Sequence, residues 1–98
     1  MVGADLLSKV RSHSHEIQDV VRRHHGLDVW VFGSVARGDE SAESDVDFLV
    51  RFDPGSSLFD LMRLQDELAG LLGRPVDVVS AGALKDRDAH ILSEAVAL

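Results

Sequence analysis

Cysteine is absent from this sequence, and no run of apolar residues extends beyond a few positions. Without cysteine the fold has no disulfide and no thiolate metal ligand, which fits a reducing cytoplasm. A membrane span needs roughly 20 apolar residues in succession. The N-terminal region also lacks a cationic segment followed by an apolar core and a cleavage site. We therefore expect a soluble, cytoplasmic protein that makes no membrane contact.

Basic residues are outnumbered, because 10 Lys and Arg stand against 17 Asp and Glu and leave a net charge of −7. Sequence-independent nucleic-acid binding relies on basic stripes that release counterions, so we expect no direct nucleic-acid binding. A chain of 98 residues can bury one core, and we expect a single domain over residues 1–98. Such a domain has no room for a separate substrate-binding domain. A partner protein, or a second copy in a homodimer, would then complete the binding site for the second substrate.

Helix and strand patterns alternate along the chain, which is typical of an α/β fold. Apolar spacing and capping residues predict helices over Asp5–His25 (closed by Gly26), Ala36–Asp39 (one turn), Ser57–Leu72 (opened by Ser57 and Asp60, closed by Gly73) and Leu84–Val96. Alternating and β-branched residues predict strands over Leu27–Phe32, Asp45–Phe52 and Val76–Val79. In the second strand, Val46 and Phe48 share the face toward the core, and Asp45 and Asp47 share the other.

A small-residue turn and a pair of acids carry the chemistry. Gly33 and Ser34 directly follow the first strand, and a turn of this kind lets a phosphate approach the backbone. Asp45 and Asp47 lie two positions apart, so both carboxylates point to one face of a strand. A phosphate beside paired carboxylates implies a divalent cation such as Mg²⁺, which prefers hard oxygen ligands. The pattern predicts phosphoryl or nucleotidyl transfer.

Asp77 places a third carboxylate on a strand face. Such a residue can complete a site for one or two Mg²⁺ ions and accept a proton from an attacking hydroxyl. Taken singly, an Asp-x-Asp pair reads as the solvated face of an edge strand, and a Gly-Ser pair as an ordinary turn. Their combination is much harder to attribute to chance. Asp45, Asp47 and Asp77 are therefore the predicted catalytic residues and metal ligands.

Two further residues have alternative interpretations. Arg37 lies beside the turn, where a guanidinium could neutralise a triphosphate or a leaving pyrophosphate. Its alternative is a surface ion pair with Asp39 or Glu40, worth only about 0–1 kcal/mol. Ser44 either shapes the start of the second strand through a hydrogen bond or simply forms a turn before Asp45.

Histidines at positions 13, 15, 24 and 25 raise the question of a second metal site. Neither pair has the i, i+4 spacing that a zinc site on one helix needs. A solvated helix surface is the favoured interpretation.

The helix predicted over Ser57–Leu72 carries apolar residues on a broad arc that includes Leu58, Phe59 and Met62. Core packing accounts for most of them. The surplus could form an oligomer or partner interface, although scattered exposed apolar residues are normal.

Together these motifs resemble the signature of the DNA polymerase β-type nucleotidyltransferases. The resemblance rests on Gly33-Ser34, Ala36-Arg37-Gly38, Ser44-Asp45-x-Asp47 and the later Asp77. Within that superfamily the chain is most similar to the minimal nucleotidyltransferases. The similarity extends to Ile91-x-x-Glu94-Ala95-Val96, which looks like the terminal helix of the small prokaryotic members.

The resemblance implies a small mixed β-sheet with flanking helices, the polymerase β-like palm fold. It also implies ATP bound through Gly33 and Ser34, with Arg37 and Ser44 nearby, and two Mg²⁺ ions on Asp45, Asp47 and Asp77. Members of the MNT subgroup are antitoxins of HEPN/MNT pairs and transfer AMP to a tyrosine hydroxyl of the HEPN ribonuclease. An antitoxin that acts by binding alone, and an enzyme that modifies a small molecule, are the alternatives.

Overall fold

A mixed four-stranded sheet forms the centre of the molecule. The computed structural model describes residues 6–38, 45–84 and 89–98. The helices are α1 (Leu6–Ser12), α2 (Ser14–Arg23), α3 (Gly33–Arg37), α4 (Leu58–Leu72) and α5 (Ala89–Glu94), and a 3₁₀ turn spans Ala81–Ala83. The strands are β1 (Gly26–Phe32), β2 (Val46–Phe52), β3 (Val76–Ser80) and β4 (Val96–Ala97), in the spatial order β3-β2-β1-β4. β2 runs parallel to β3, and the other pairings are antiparallel, so the predicted α/β fold with a small mixed sheet is confirmed.

One face of the sheet forms the core. Along each long strand every second residue is apolar and buried, and α2 packs against β1 while α4 packs against β3. The buried strand residues are Val29, Val31, Val46, Phe48, Val50, Val76 and Val78, and the helices bury Leu6, Val10, Ile17, Val20, Val21, Leu64, Leu68 and Leu72 against them. Because side chains alternate across a strand, the residues between these positions lie on the opposite face.

The opposite face is not uniformly polar. Leu49 of β2 lies on it and is completely buried. Trp30 of β1 and Val79 of β3 are its register partners on either side, and the turn Ala81–Ala83 contacts β2. Apolar side chains therefore cover this face immediately beside Asp47.

The single helix predicted over Asp5–His25 is wrong within the described residues. The helix breaks at His13 into α1 and α2, and α2 ends at Arg23. His25, rather than Gly26, adopts the left-handed conformation, with a φ of 67°. Gly26 instead begins β1, where an added Cβ would collide with the side chain of Val21. Tertiary packing, rather than helix termination, accounts for this glycine.

The helix predicted over Leu84–Val96 is also wrong at both described ends. Leu84 is extended after the 3₁₀ turn, and α5 covers only Ala89–Glu94. Val96 and Ala97 form β4 and pair with Val31 and Trp30 of β1. Apolar spacing alone does not distinguish the end of a helix from a short strand when the strand pairs with a distant edge. Residues 85–88 lie outside the described ranges.

Local signals predict the end of α3 and both limits of α4 better. α3 begins at Gly33, earlier than the predicted turn, and Gly38 closes it with a φ of 77°, whereas Asp39 lies outside the described residues. At the start of α4 the Asp60 carboxylate accepts a hydrogen bond from the Ser57 N–H at 2.9 Å.

The far end of α4 also matches its prediction, since Gly73 closes the helix with a φ of 68°. Leu58, Phe59 and Met62 on this helix are exposed. No helix in the described part of the chain is long and apolar enough to cross a bilayer.

Replacing Gly26 by Ala should destabilise the fold by about 1–3 kcal/mol, because the new methyl group overpacks the contact with Val21 and Val50. The matched control is Gly70→Ala in α4, where an added Cβ meets nothing within 4 Å and the better helix former should add about 0.5–1 kcal/mol. Urea denaturation followed by circular dichroism measures both. Equal effects of the two substitutions would contradict the close packing at Gly26.

Candidate active site

Strand register brings two of the three predicted acids together. In the parallel pairing of β2 with β3, Asp47 lies directly opposite Asp77, and neighbouring strands are about 4.8 Å apart. Asp45 precedes β2 by one residue and has the same parity as Asp47. Asp47 is half-buried, whereas Asp45 and Asp77 are exposed. The carboxylates thus mark one end of the sheet face that does not form the core.

The pKa of Asp47 responds to its burial and to the charged side chains around it. Burial raises the pKa of the Asp47 carboxyl above its ordinary value of 3.8, and the negative charges of Asp77 and Asp45 raise it further. Arg37 acts in the opposite direction and lowers this pKa. A bound cation would offset the negative charge of these neighbouring carboxylates.

The donor chemistry fits Mg²⁺, which binds carboxylate oxygens and retains several waters. Among the residues that the structure describes, no three Asp, Glu, His or Cys side chains already form a cluster able to hold a metal ion. Binding would therefore require the exposed Asp45 and Asp77 side chains to turn toward Asp47.

The Gly33 turn lies against the same carboxylate. Phe32, the last residue of β1, pairs with Asp47, and Gly33 follows with a φ of +76°. An added Cβ at Gly33 would collide with the Oδ2 atom of Asp47. Glycine is therefore required here for two reasons, the left-handed backbone and the close approach of the carboxylate. Ser34 follows in the first turn of α3 and is half-buried.

Glu94 is a site residue that was not predicted. This half-buried last residue of α5 accepts hydrogen bonds from the Gly33 N–H at 3.3 Å and from Arg37 Nη1 at 3.1 and 3.2 Å. Arg37 is therefore paired with Glu94, a partner that neither interpretation of Arg37 included. The only available signal was the resemblance of Ile91-x-x-Glu94, which gives the residue no role. Ser44, Asp39 and Glu40 lie outside the described residues.

Histidines take no part in this site. His13 and His24 are half-buried rather than solvated, and each contacts a carboxylate. His13 Nδ1 lies 2.9 Å from Glu16 Oε1, and His24 Nε2 lies 2.8 Å from Glu67 Oε1. His15 and His25 are exposed, as the solvated interpretation requires.

Comparison with known families decides the assignment. Residues 15–97 match the model of the nucleotidyltransferase domain. The chain belongs to the nucleotidyltransferase domain family. A nucleotide is accordingly a substrate of this enzyme. The family relates the Gly33 turn and the acids on β2 and β3 to nucleotidyl transfer, a reaction that the geometry alone did not identify.

Two sequence relatives of this nucleotidyltransferase are protein adenylyltransferases by name. One, from Methanocaldococcus jannaschii, is assigned as a protein adenylyltransferase. It is 42% identical over 85 residues, which are 83% of this chain and 88% of the relative. The other, protein adenylyltransferase MntA of Thermococcus cleftensis, is 36% identical over 81 residues, which cover 83% of this chain and 79% of the relative.

Solved structures agree with this fold. A protein described as a minimal nucleotidyltransferase superposes with a TM-score of 0.85 at 40% identity and full coverage of both chains. A complex of an MNT antitoxin with a tri-AMPylated HEPN toxin from Shewanella oneidensis gives a TM-score of 0.67 at 17% identity. The match covers 89% of this nucleotidyltransferase and 69% of that chain, and at this identity it shows the fold alone.

Replacing Gly33 by Ala should displace the Asp47 carboxylate, because the new methyl group occupies the position of its oxygen. The matched control is Gly38→Ala, which has the same left-handed backbone but no atom within 4 Å of the added Cβ. Both variants should lose about 1–2 kcal/mol of stability from backbone strain. Only Gly33→Ala should change the titration of the Asp47 carboxyl carbon measured by NMR. An unchanged Asp47 titration in that variant would contradict the contact.

Replacing Asp47 by Asn should stabilise the metal-free nucleotidyltransferase at pH 7. The folded-state pKa of Asp47 lies above 3.8, so its ionisation opposes folding; this penalty grows as the pH rises above 3.8 and vanishes below it. The gain in melting temperature, measured in EDTA, should therefore shrink as the pH falls from 7 toward 4. Asp28→Asn is the control, since Asp28 is exposed and paired with Arg51.

Adding Mg²⁺ provides the second half of this test. A cation that binds only the folded state raises its melting temperature by mass action. Mg²⁺ should therefore stabilise the wild-type protein and the Asp28→Asn variant, and stabilise Asp47→Asn much less. Equal stabilisation of all three would mean that Asp47 is not a ligand.

Proposed function

We propose that this nucleotidyltransferase is an antitoxin that transfers AMP from ATP to a tyrosine hydroxyl of a HEPN-type ribonuclease toxin and so neutralises it. The observation that carries the proposal is the register of β2 and β3, which places Asp47 opposite Asp77 beside the Gly33 turn. The relatives named as protein adenylyltransferases support a protein acceptor. The HEPN toxin complex of the same fold supports the class of that acceptor.

In this proposal each of these site residues has a defined role, and Asp77 has two. Gly33 and Ser34 bind the triphosphate, and Asp45, Asp47 and Asp77 hold two Mg²⁺ ions. When bound, Mg²⁺ offsets the charge of the phosphate oxygens as it spreads during transfer. Asp77 is exposed, so an incoming hydroxyl can reach it, and it accepts the hydroxyl proton. The tyrosine oxygen then bonds to the α-phosphorus as the bond from that phosphorus to pyrophosphate breaks.

The acceptor comes from another protein. These 98 residues contain no tyrosine, so a tyrosine acceptor must lie outside them. Asp45 and Asp77 are exposed at the end of the sheet face, where a partner can approach them. The exposed Leu58, Phe59 and Met62 are available for a contact with the partner or with a second copy of the chain.

The test incubates the chain with ATP, Mg²⁺ and a HEPN-type toxin sought among the products of the neighbouring genes, and measures the intact mass of that protein. We expect a mass gain of whole AMP units, located on tyrosine by fragmentation, together with loss of ribonuclease activity. The Asp45→Asn, Asp47→Asn double variant should abolish the gain. Asp28→Asn, which changes an exposed aspartate at the other end of the same sheet face, should retain it.

Two outcomes would contradict the proposal. Loss of ribonuclease activity without any mass gain would identify an antitoxin that acts by binding alone. AMP transfer to a small molecule, with the toxin unmodified, would identify a different acceptor class.

A further inference from the structure

A single carboxylate holds both ends of the helix that follows the Gly33 turn. Glu94 accepts from the N–H of Gly33, the first residue of α3, at 3.3 Å. It also accepts from Arg37, the last residue of α3, with its two oxygens 3.1 and 3.2 Å from Nη1. The Glu94 side chain is 23% exposed and the Arg37 side chain 49% exposed, so the contact lies at the margin of the site.

α3 depends on such contacts for its orientation. It has five residues, little more than one turn, and an isolated helix of that length does not form in water. Buried Val35 anchors one side of it in the core. The Glu94 carboxylate adds a polar constraint, because it ties the start of the helix to its end.

The backbone that carries Glu94 is itself fixed to the sheet. Two residues later Val96 pairs with Val31, and Ala97 pairs with Trp30, both in β1. β1 leads directly into the Gly33 turn through Phe32. Glu94 therefore links the turn to the β4 segment that pairs with β1.

We infer that Glu94 is a positioning residue that fixes the Gly33-Ser34 turn and Arg37 in the geometry required for binding the nucleotide phosphates. The inference rests on the proposed role of that turn in nucleotide binding. Glu94 does not touch the reacting atoms. It acts through the backbone N–H of Gly33 and the guanidinium of Arg37.

The experiment measures the dissociation constant of AMP-PNP with Mg²⁺ by calorimetry, in the absence of any toxin. We expect Glu94→Gln to weaken binding by roughly tenfold or more, because small misplacements of binding groups have effects of up to about a hundredfold. The matched control is Glu67→Gln, which removes another carboxylate that bridges two helices, with Arg23 at 2.5 Å and His24 at 2.8 Å. That variant should bind AMP-PNP as the wild type does.

Melting temperatures separate positioning from general stability. If Glu94 acts as inferred, Glu94→Gln changes nucleotide affinity out of proportion to its effect on melting temperature, compared with Glu67→Gln. Unchanged affinity in Glu94→Gln would overturn the inference. Tighter binding would also overturn it, by showing that Glu94 competes with phosphate for the same donors. Failure of the wild type to bind AMP-PNP would instead contradict the proposed nucleotide site.

Two further variants test the shared contact. Glu94→Asp keeps the charge but shortens the side chain by one methylene, so it cannot reach both ends of α3 and should also weaken binding. In an Arg37→Gln background, Glu94→Gln should cost less affinity than it does alone, because half of the connection is already missing. Strictly additive losses would contradict a shared role, and the Glu94→Asp result remains measurable if Glu94→Gln itself does not fold.

Discussion

The parallel register of β2 against β3 is the constraint on which the site depends. Burial of Val46, Phe48 and Val50 on one side fixes which face of β2 turns to the core. Because side chains alternate, a slip of one residue would exchange the two faces and bury the acids. The apolar core therefore determines where Asp47 and Asp77 lie, although none of its residues takes part in the chemistry.

Placing Asp47 beside two other carboxylates costs folding free energy. The half-buried Asp47 carboxyl has a raised pKa because it is desolvated and faces two other carboxylates. A protein under selection for stability alone would place a neutral residue there. Leu49, Trp30 and the 3₁₀ turn reduce solvent access immediately beside Asp47, which adds to the desolvation of its carboxyl. A divalent cation bound here, as we propose, would offset this repulsion directly.

Sequence reasoning succeeded where the determinants are local or periodic. The faces of β2 follow from alternation, and the limits of α4 follow from Ser57, Asp60 and Gly73. The Gly33 turn and the Asp45, Asp47 pair are local motifs of the same kind, and their roles in nucleotide and metal binding stay predictions. It failed where a distant contact decides the structure. His25 adopts the left-handed conformation while Gly26 packs against Val21, and Val96 forms a strand because it pairs with the edge of β1.

The contact of Glu94 with Gly33 and Arg37 belongs to the same class, since 61 and 57 positions separate these residues in the sequence. No periodicity or cap relates them. β4 must first pair with β1 before Glu94 can reach the turn. The geometry of the Gly33 turn thus depends on the pairing of an edge strand far from it in sequence. The local motif supplies the chemical groups, and the sheet edge supplies their alignment.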